Sequence, residues 1–210
     1  HLWGEAVDWL SPPSMTNLLP VGSRIISFGQ SGRWDKTFLT VGWRGQEKLY
    51  LDNRNSLDQN SNMIFGIKQI GVYAQQLPIR QELIQRNMYR EDRIGENIRN
   101  LFGVNYIVDA RGESFKLIKN DNAGDEIKNI RNLIQVEDKF AALGKLDQVF
   151  INPNNDVLWE SRDLPKGDEK VVVVNRSFYP GWQAYLGNNK LKIYPANINQ
   201  QAVIVPKDVD

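Results

Sequence analysis

The spacing of apolar positions changes character once along this chain, near Asn152–Asn155. Upstream, short β-rich runs alternate with helical spacing. "SRIISFGQ" (Ser23–Gln30) is apolar and β-branched and stops at a glycine, which predicts a first strand. "PIRQELIQRNMYREDRIGENIRNLF" opens on Pro78, carries Ile79 and Leu83, then Ile94, Ile98, Leu101 and Phe102 at helical intervals, and ends at Gly103. It predicts one broken helix or two consecutive ones, with Asp92 placed to cap the second. "VNYIVDA" reads as a buried strand, with "SFKLIKN" as its antiparallel neighbour across the Ala110–Glu113 turn. "VEDKFAALGKLDQ" is a short amphipathic helix whose expected stripe is Val136, Phe140 and Leu143.

Two stretches have no such period. Ser31–Asn62 is dense in Gly, Asn and Asp and reads as mostly loop, with room for one hairpin through Phe38–Leu51, while "NAGDEIKNIR" reads as a polar connection. Downstream of Asn155 the period becomes that of strands: "VLWES", "KVVVVNRS", "WQAYLG", "KLKIYP" and "QAVIVP". The four consecutive valines imply a strand buried on both faces. These patterns predict an α+β protein: a lead-in over 1–22, a small mixed α/β unit over 23–150 and an antiparallel β-sandwich-like unit over 151–210. The lead-in places Trp3 and Trp9 among three prolines, suited to a membrane interface or to docking in a groove of the domain.

The aromatic-rich run Ser177–Asn197 makes the sharpest local prediction. A two-residue turn at Asn188-Asn189, or at Gly187-Asn188, gives the same parity. Either turn gathers Trp182, Ala184, Leu186, Leu191 and Ile193 on one side and leaves Gln183, Tyr185, Lys192 and Tyr194 on the other. Trp182 is therefore expected in the core, and Tyr185 and Tyr194 are the two rings left to face a glycan.

Composition narrows the chemistry. The chain has 210 residues and 41% hydrophobic content, enough for a core. Its 26 basic and 25 acidic residues leave a net charge of +1, no footprint for nucleic acid. Cysteine is absent and the single histidine is His1, which removes thiolate nucleophiles, cysteine metal sites and a histidine base. "FGQSGR" lacks the spacing of a phosphate loop and is read as a plain loop. Glu91 and Asp92 suit a helix start better than acid–base work. Asn175 heads an "NRS" glycosylation pattern inside a strand, an incidental match. No spacing points to a metal or cofactor, so no catalytic, cofactor-binding or metal-ligating residue is assigned. With no initiating methionine, no signal segment and no apolar run of bilayer length, the sequence is expected to be an excised piece.

Five segments, "SRIISFG", "NMIFGIKQIGVY", "LFGVNYIVDA", "FAALGKLDQVFINPNNDVLWE" and "FYPGWQAYLGNNKLKIYPANINQQAVIVP", resemble in the same order the soluble part of the bacterial YfhO-like membrane proteins. Those proteins belong with the polytopic GT-C type glycosyltransferases. The resemblance covers most of Ser23–Pro206 and implies a domain on the extracytoplasmic face of the cell membrane, anchored by flanking transmembrane helices that the sequence does not include. Its partners would be the transmembrane part of the same polypeptide, the nearby membrane, and a glycan or lipid-linked sugar. The parent enzyme would move a sugar from a polyprenyl-phosphate carrier, using a carboxylate on a membrane-proximal loop. Nothing in this chain matches that loop, so the piece is expected to shape acceptor or partner binding without catalysing transfer. A secreted carbohydrate-binding β module is the alternative; a nucleotide-using α/β enzyme ranks last because it would need a phosphate loop.

Overall fold

A computed structural model describes residues 10–41, 47–57, 61–71 and 76–208. Trp3 and Trp9 lie outside the described residues. In chain order the elements are β1 (Arg24–Phe28), α1 (Gln30–Val41), α2 (Glu47–Asn53), β2 (Lys68–Gln69), α3 (Ile79–Asn87), α4 (Arg93–Leu101), β3 (Tyr106–Asp109), β4 (Lys116–Lys119), β5 (Ile127–Ile130) and β6 (Asn132–Gln135). They continue with α5 (Lys139–Gln148), β7 (Asp156–Trp159), β8 (Glu169–Ser177), β9 (Ala184–Leu186), β10 (Asn189–Leu191), β11 (Ile193–Ala196) and β12 (Gln200–Pro206). The protein is α+β.

The chain forms two compact units, and neither is one continuous segment. The first is His1–Tyr73 with Val104–Asp121; the second is Ala74–Gly103 with Asn122–Asp210. The boundary expected near Asn152–Asn155 thus falls inside the second unit. Its polar residues make a tight turn instead. Asn152 N–H donates to Asp156 Oδ2 at 2.9 Å, Asn154 N–H to Asn152 Oδ1 at 3.1 Å, and the Asn155 carbonyl accepts from the amides of Arg131 and Asn132. Turn chemistry, rather than a linker, explains the cluster of asparagines.

The first unit holds a four-stranded sheet in the order β2-β1-β3-β4, with β1 parallel to both β2 and β3 and β4 antiparallel to β3. Ile25 and Ile26 point to opposite faces and both are fully buried, as befits a central parallel strand. Met15, Ile25, Leu57 and Val108 form its core. Most of the expected loop Ser31–Asn62 is helical. Trp34 and Phe38 of α1 stack with ring centroids 5.7 Å apart, and Tyr50 of α2 packs on both rings. This i, i+4 aromatic pair and its partner across the helices outweigh the local Gly and Asp content, so the described residues of the expected Phe38–Leu51 hairpin, Phe38–Val41 and Glu47–Leu51, are helical instead.

In the second unit, Asp92 caps α4 by accepting from the Gly95 amide, as expected. Its buried face carries Ile94, Ile98 and Leu101 together with Asn97, whose amide donates to the carbonyls of Leu146 and Val149 at the end of α5. The side of α5 that is buried is Ala142 and Leu146; Phe140 is exposed, so the expected Val136–Phe140–Leu143 stripe is not the packing face. A six-stranded sheet runs β5-β8-β12-β11-β7-β6, with β6 and β7 parallel and the other pairs antiparallel. The supposed polar connection supplies two of these strands, β5 and β6. Within β5, Lys128 is buried and donates from Nζ to the Leu101 carbonyl at 2.6 Å, so a cation satisfies the C-terminus of α4. In the valine run only Val171 and Val173 are deeply buried, Val172 and Val174 being half-buried. Trp159, Tyr194, Val157, Val171, Val173, Ala196 and Ala202 make up the core.

Candidate functional site

The surface that the sequence reading pointed to lies at the exit of β8. After Ser177 the chain leaves the sheet, held by the Phe178 amide donating to the Asn199 carbonyl at 2.9 Å, and runs through Tyr179-Pro180-Gly181-Trp182 before starting β9. Gly181 has φ 108°, a conformation that a side chain would strain, and this turns the loop outward. Tyr179 is 59% exposed and Trp182 54% exposed, and with Arg176, Ser177, Pro180 and Gly181 they line a shallow groove.

β9 and β10 pair as Leu186 with Asn189, Tyr185 with Lys190 and Ala184 with Leu191, so the turn is Gly187-Asn188, one of the two registers expected. Ala184, Leu186 and Leu191 are half-buried on one side. Tyr185 stands on the other, 56% exposed, its hydroxyl donating to Gln183 Oε1 at 2.6 Å.

Two residues are not where parity placed them. Trp182 was expected in the core and is exposed, because it precedes β9 in an irregular loop where strand alternation does not apply. Tyr194 was expected to be open to a glycan and is 9% exposed, tilted against the indole of Trp159 with ring centroids 5.0 Å apart. The chain changes sheets at Lys192: β10 pairs only with β9, whereas β11 pairs with β12 and β7. The side of β11 carrying Tyr194 and Ala196 becomes core.

Lys192 anchors this transition. It makes an ion pair with Asp163 at 2.6 Å and lies 4.9 Å over the Tyr194 ring, whose hydroxyl donates to the same carboxylate at 3.3 Å. The hydrogen bond from Lys192 holds the Asp163 carboxyl below its usual range, and the same bond raises Lys192. Burial raises the Tyr194 phenol.

Electrostatics sets the character of the exposed rings. From Val171 to Lys207 the sequence contains no Asp or Glu, only Arg176, Lys190, Lys192 and Lys207. Rings, the amides of Gln183, Asn188 and Asn189, and a few cations, of which Lys192 and Arg176 already pair with Asp163 and Glu126, can bind a ligand with an apolar face and polar edges. Asn175 is buried and accepts from Gln200 Nε2 at 2.9 Å, which closes it to glycosylation. Among the described residues no group of three carboxylate, histidine or cysteine side chains could hold a metal ion. Tyr179 was missed by sequence reasoning; the Pro-Gly dipeptide between it and Trp182 is the signal that puts both rings on an outward turn. Comparison with family models, with curated proteins and with solved structures finds no match to this chain.

Proposed function

We propose that this chain is an extracytoplasmic accessory domain of a polytopic membrane glycosyltransferase of the YfhO-like kind, which uses a polyprenyl-phosphate sugar, and that it shapes acceptor or partner binding without catalysing transfer. The observation that carries the reading is the outward display of Tyr179, Trp182 and Tyr185 on and beside the "FYPGW" turn, the most specific of the co-linear segments. Aromatic faces suit the C–H faces of sugars, and indole and phenol rings also suit a membrane–water interface. The same rings favour the second reading, a secreted carbohydrate-binding β module. No helix among the described residues is long and apolar enough to cross a membrane, so anchoring would come from elsewhere in the polypeptide.

These 210 residues contain no cysteine, so one introduced among them is the only thiol they present. A cysteine replacing the exposed Asn188 in the product of the complete gene, with any cysteines outside these residues changed to serine, should react with a membrane-impermeant maleimide on intact cells, and the labelled protein should stay in the membrane pellet after carbonate washing. Labelling only after permeabilisation would defeat both readings. A labelled product released without its membrane would select the secreted module.

A further inference from the structure

The first unit contains a cleft that the aromatic surface does not explain. β1 and β3 are adjacent and parallel, so their carboxyl ends lie on one edge of the sheet. From β1 the chain runs out to β2 on one flank, while β3 is entered on the other. Such a reversal leaves a crevice beyond the carboxyl ends of the two strands, the usual place for a ligand in open α/β sheets. Here the crevice has a volume of about 640 Å³, within the range of small-molecule sites, and is walled by α1, α2 and the turn after β3.

Its walls are fixed before any ligand arrives. Arg33 of α1 donates from Nε to Asn53 Oδ1 at 3.1 Å, from Nη1 to the Gly112 carbonyl at 2.9 Å and from Nη2 to the Glu113 carbonyl at 3.1 Å. Its guanidinium also lies 4.0 Å over the Phe115 ring. One side chain thus ties α1, α2 and the β3–β4 turn together. Asn53 in turn donates to Thr37 Oγ1 at 2.7 Å. On the strand side, Gly29 has φ 77°, and a Cβ there would lie 2.4 Å from Arg111 Cγ, so only glycine lets that arginine cross the end of β1. Arg111 is held by both oxygens of Asp109, at 2.9 and 2.8 Å.

The lining decides the class of ligand. Arg33, Lys36 and Arg111 are interspersed with Asp52 and Glu113, and Thr40 stands among them; Leu49 and Ala110 are the apolar members. A phosphate would meet two carboxylates, a simple cation would meet three basic groups, and an apolar ligand would take charged side chains out of water with nothing to bond them. A neutral molecule bearing many hydroxyls can donate to the carboxylates and accept from the cations, each a charge-assisted hydrogen bond. We propose that the cleft beyond the carboxyl ends of β1 and β3 is a binding site for a small neutral polyhydroxylated ligand of the sugar class. The site shares no residue with the Tyr179–Tyr185 surface and does not depend on membrane anchoring.

The test is a titration of the 210-residue chain, followed by ¹H–¹⁵N amide shifts, with a panel of neutral hexoses and N-acetylhexosamines beside inorganic phosphate and glycine. At least one neutral sugar should move the amides of Gly29–Lys36 and Gly112–Glu113 in a saturable way. Lys36→Ala and Glu113→Gln, both changes to exposed side chains, should each weaken that binding about tenfold while leaving the thermal midpoint in place. Trp182→Ala should leave it unchanged. Shifts at these amides from phosphate or glycine alone, or from no sugar at about 10 mM, weaker than any affinity worth some 3 kcal/mol, would overturn the proposal. Sugar shifts confined to Tyr179–Tyr185 would overturn it too, while leaving the aromatic surface as the binding face.

Discussion

β9–β10 and β11–β12 are antiparallel pairs cut from one continuous stretch of alternating residues, yet they meet opposite fates. β12 pairs with β8 along its length and β11 adds β7 on its outer flank, so Tyr194 and Ala196 are sealed under a sheet. β9 and β10 pair only with each other, and two strands alone cannot bury a face. Tyr185 stays open and the apolar side is only half covered. Alternation separates the two sides of a strand; the number of neighbouring strands decides whether either side becomes core.

The largest expected effect sets the two tryptophans against each other. Trp159 is fully buried and donates from Nε1 to the Asp163 carbonyl at 2.8 Å. Trp159→Ala should cost about 3–5 kcal/mol of unfolding free energy in a denaturant titration, and Trp182→Ala only about 0.5 kcal/mol or less. Similar losses from both would break the comparison.

A step smaller is the ion pair that ties the β11–β12 turn to α3. Arg80 reaches Glu160 at 2.7 Å, and Glu160 Oε1 accepts from the Ile198 amide at 3.1 Å. Burial raises the Glu160 carboxyl above its usual value despite Arg80. Its folded-state pKa therefore exceeds its unfolded one, and its contribution to stability falls as pH rises through that raised range. Arg80→Met should cost about 3 kcal/mol near neutral pH by stranding a buried charge. The deficit should shrink as pH falls through the raised range in which the carboxyl takes up a proton. A deficit that does not change with pH would mean that Arg80 acts by packing alone.

The smallest effect belongs to the exposed side. Asp163 titrates below its usual value because Lys192 bonds it, so its contribution is present above the unfolded pKa and is lost as pH falls through the folded one. Thermal midpoints of Asp163→Asn and the parent protein should differ slightly at neutral pH and converge as pH falls through the lowered Asp163 range. Divergence on acidification would refute the assigned sign.

Local chemistry made much of the fold legible. Pro78, Asp92 and Gly103 mark the bounds of α3 and α4, and "VNYIVDA" with "SFKLIKN" gives β3 and β4. What was hidden depends on partners distant in sequence. The strand β5 points Lys128 inward, and its reward, the Leu101 carbonyl, is not visible in any periodicity. Trp34 and Phe38 identify α1 only once Tyr50 closes over them. Among the rings, Tyr185 lies on the open side where parity put it, but Tyr179 escaped notice, Trp182 sits in a loop before β9, and Tyr194 turned inward because the sheet change at Lys192 is decided by β12 and β7. The cleft was invisible altogether, because its walls come from Gly29–Thr40, Leu49–Asn53 and Ala110–Glu113.

The discontinuity of the two units also bears on how the molecule can be made and cut. During synthesis the first unit cannot close its sheet until Asp121 has left the ribosome, while Ala74–Gly103 must wait, already synthesised, for strands that follow Asn122. A single protease cut therefore frees neither unit from the other: a cut after Tyr73 leaves the second unit joined to Val104–Asp121, and one after Asp121 leaves the first joined to Ala74–Gly103. Truncation at any one position orphans part of at least one of them, so shortened versions of this protein should be obtained by paired excisions rather than by trimming from an end.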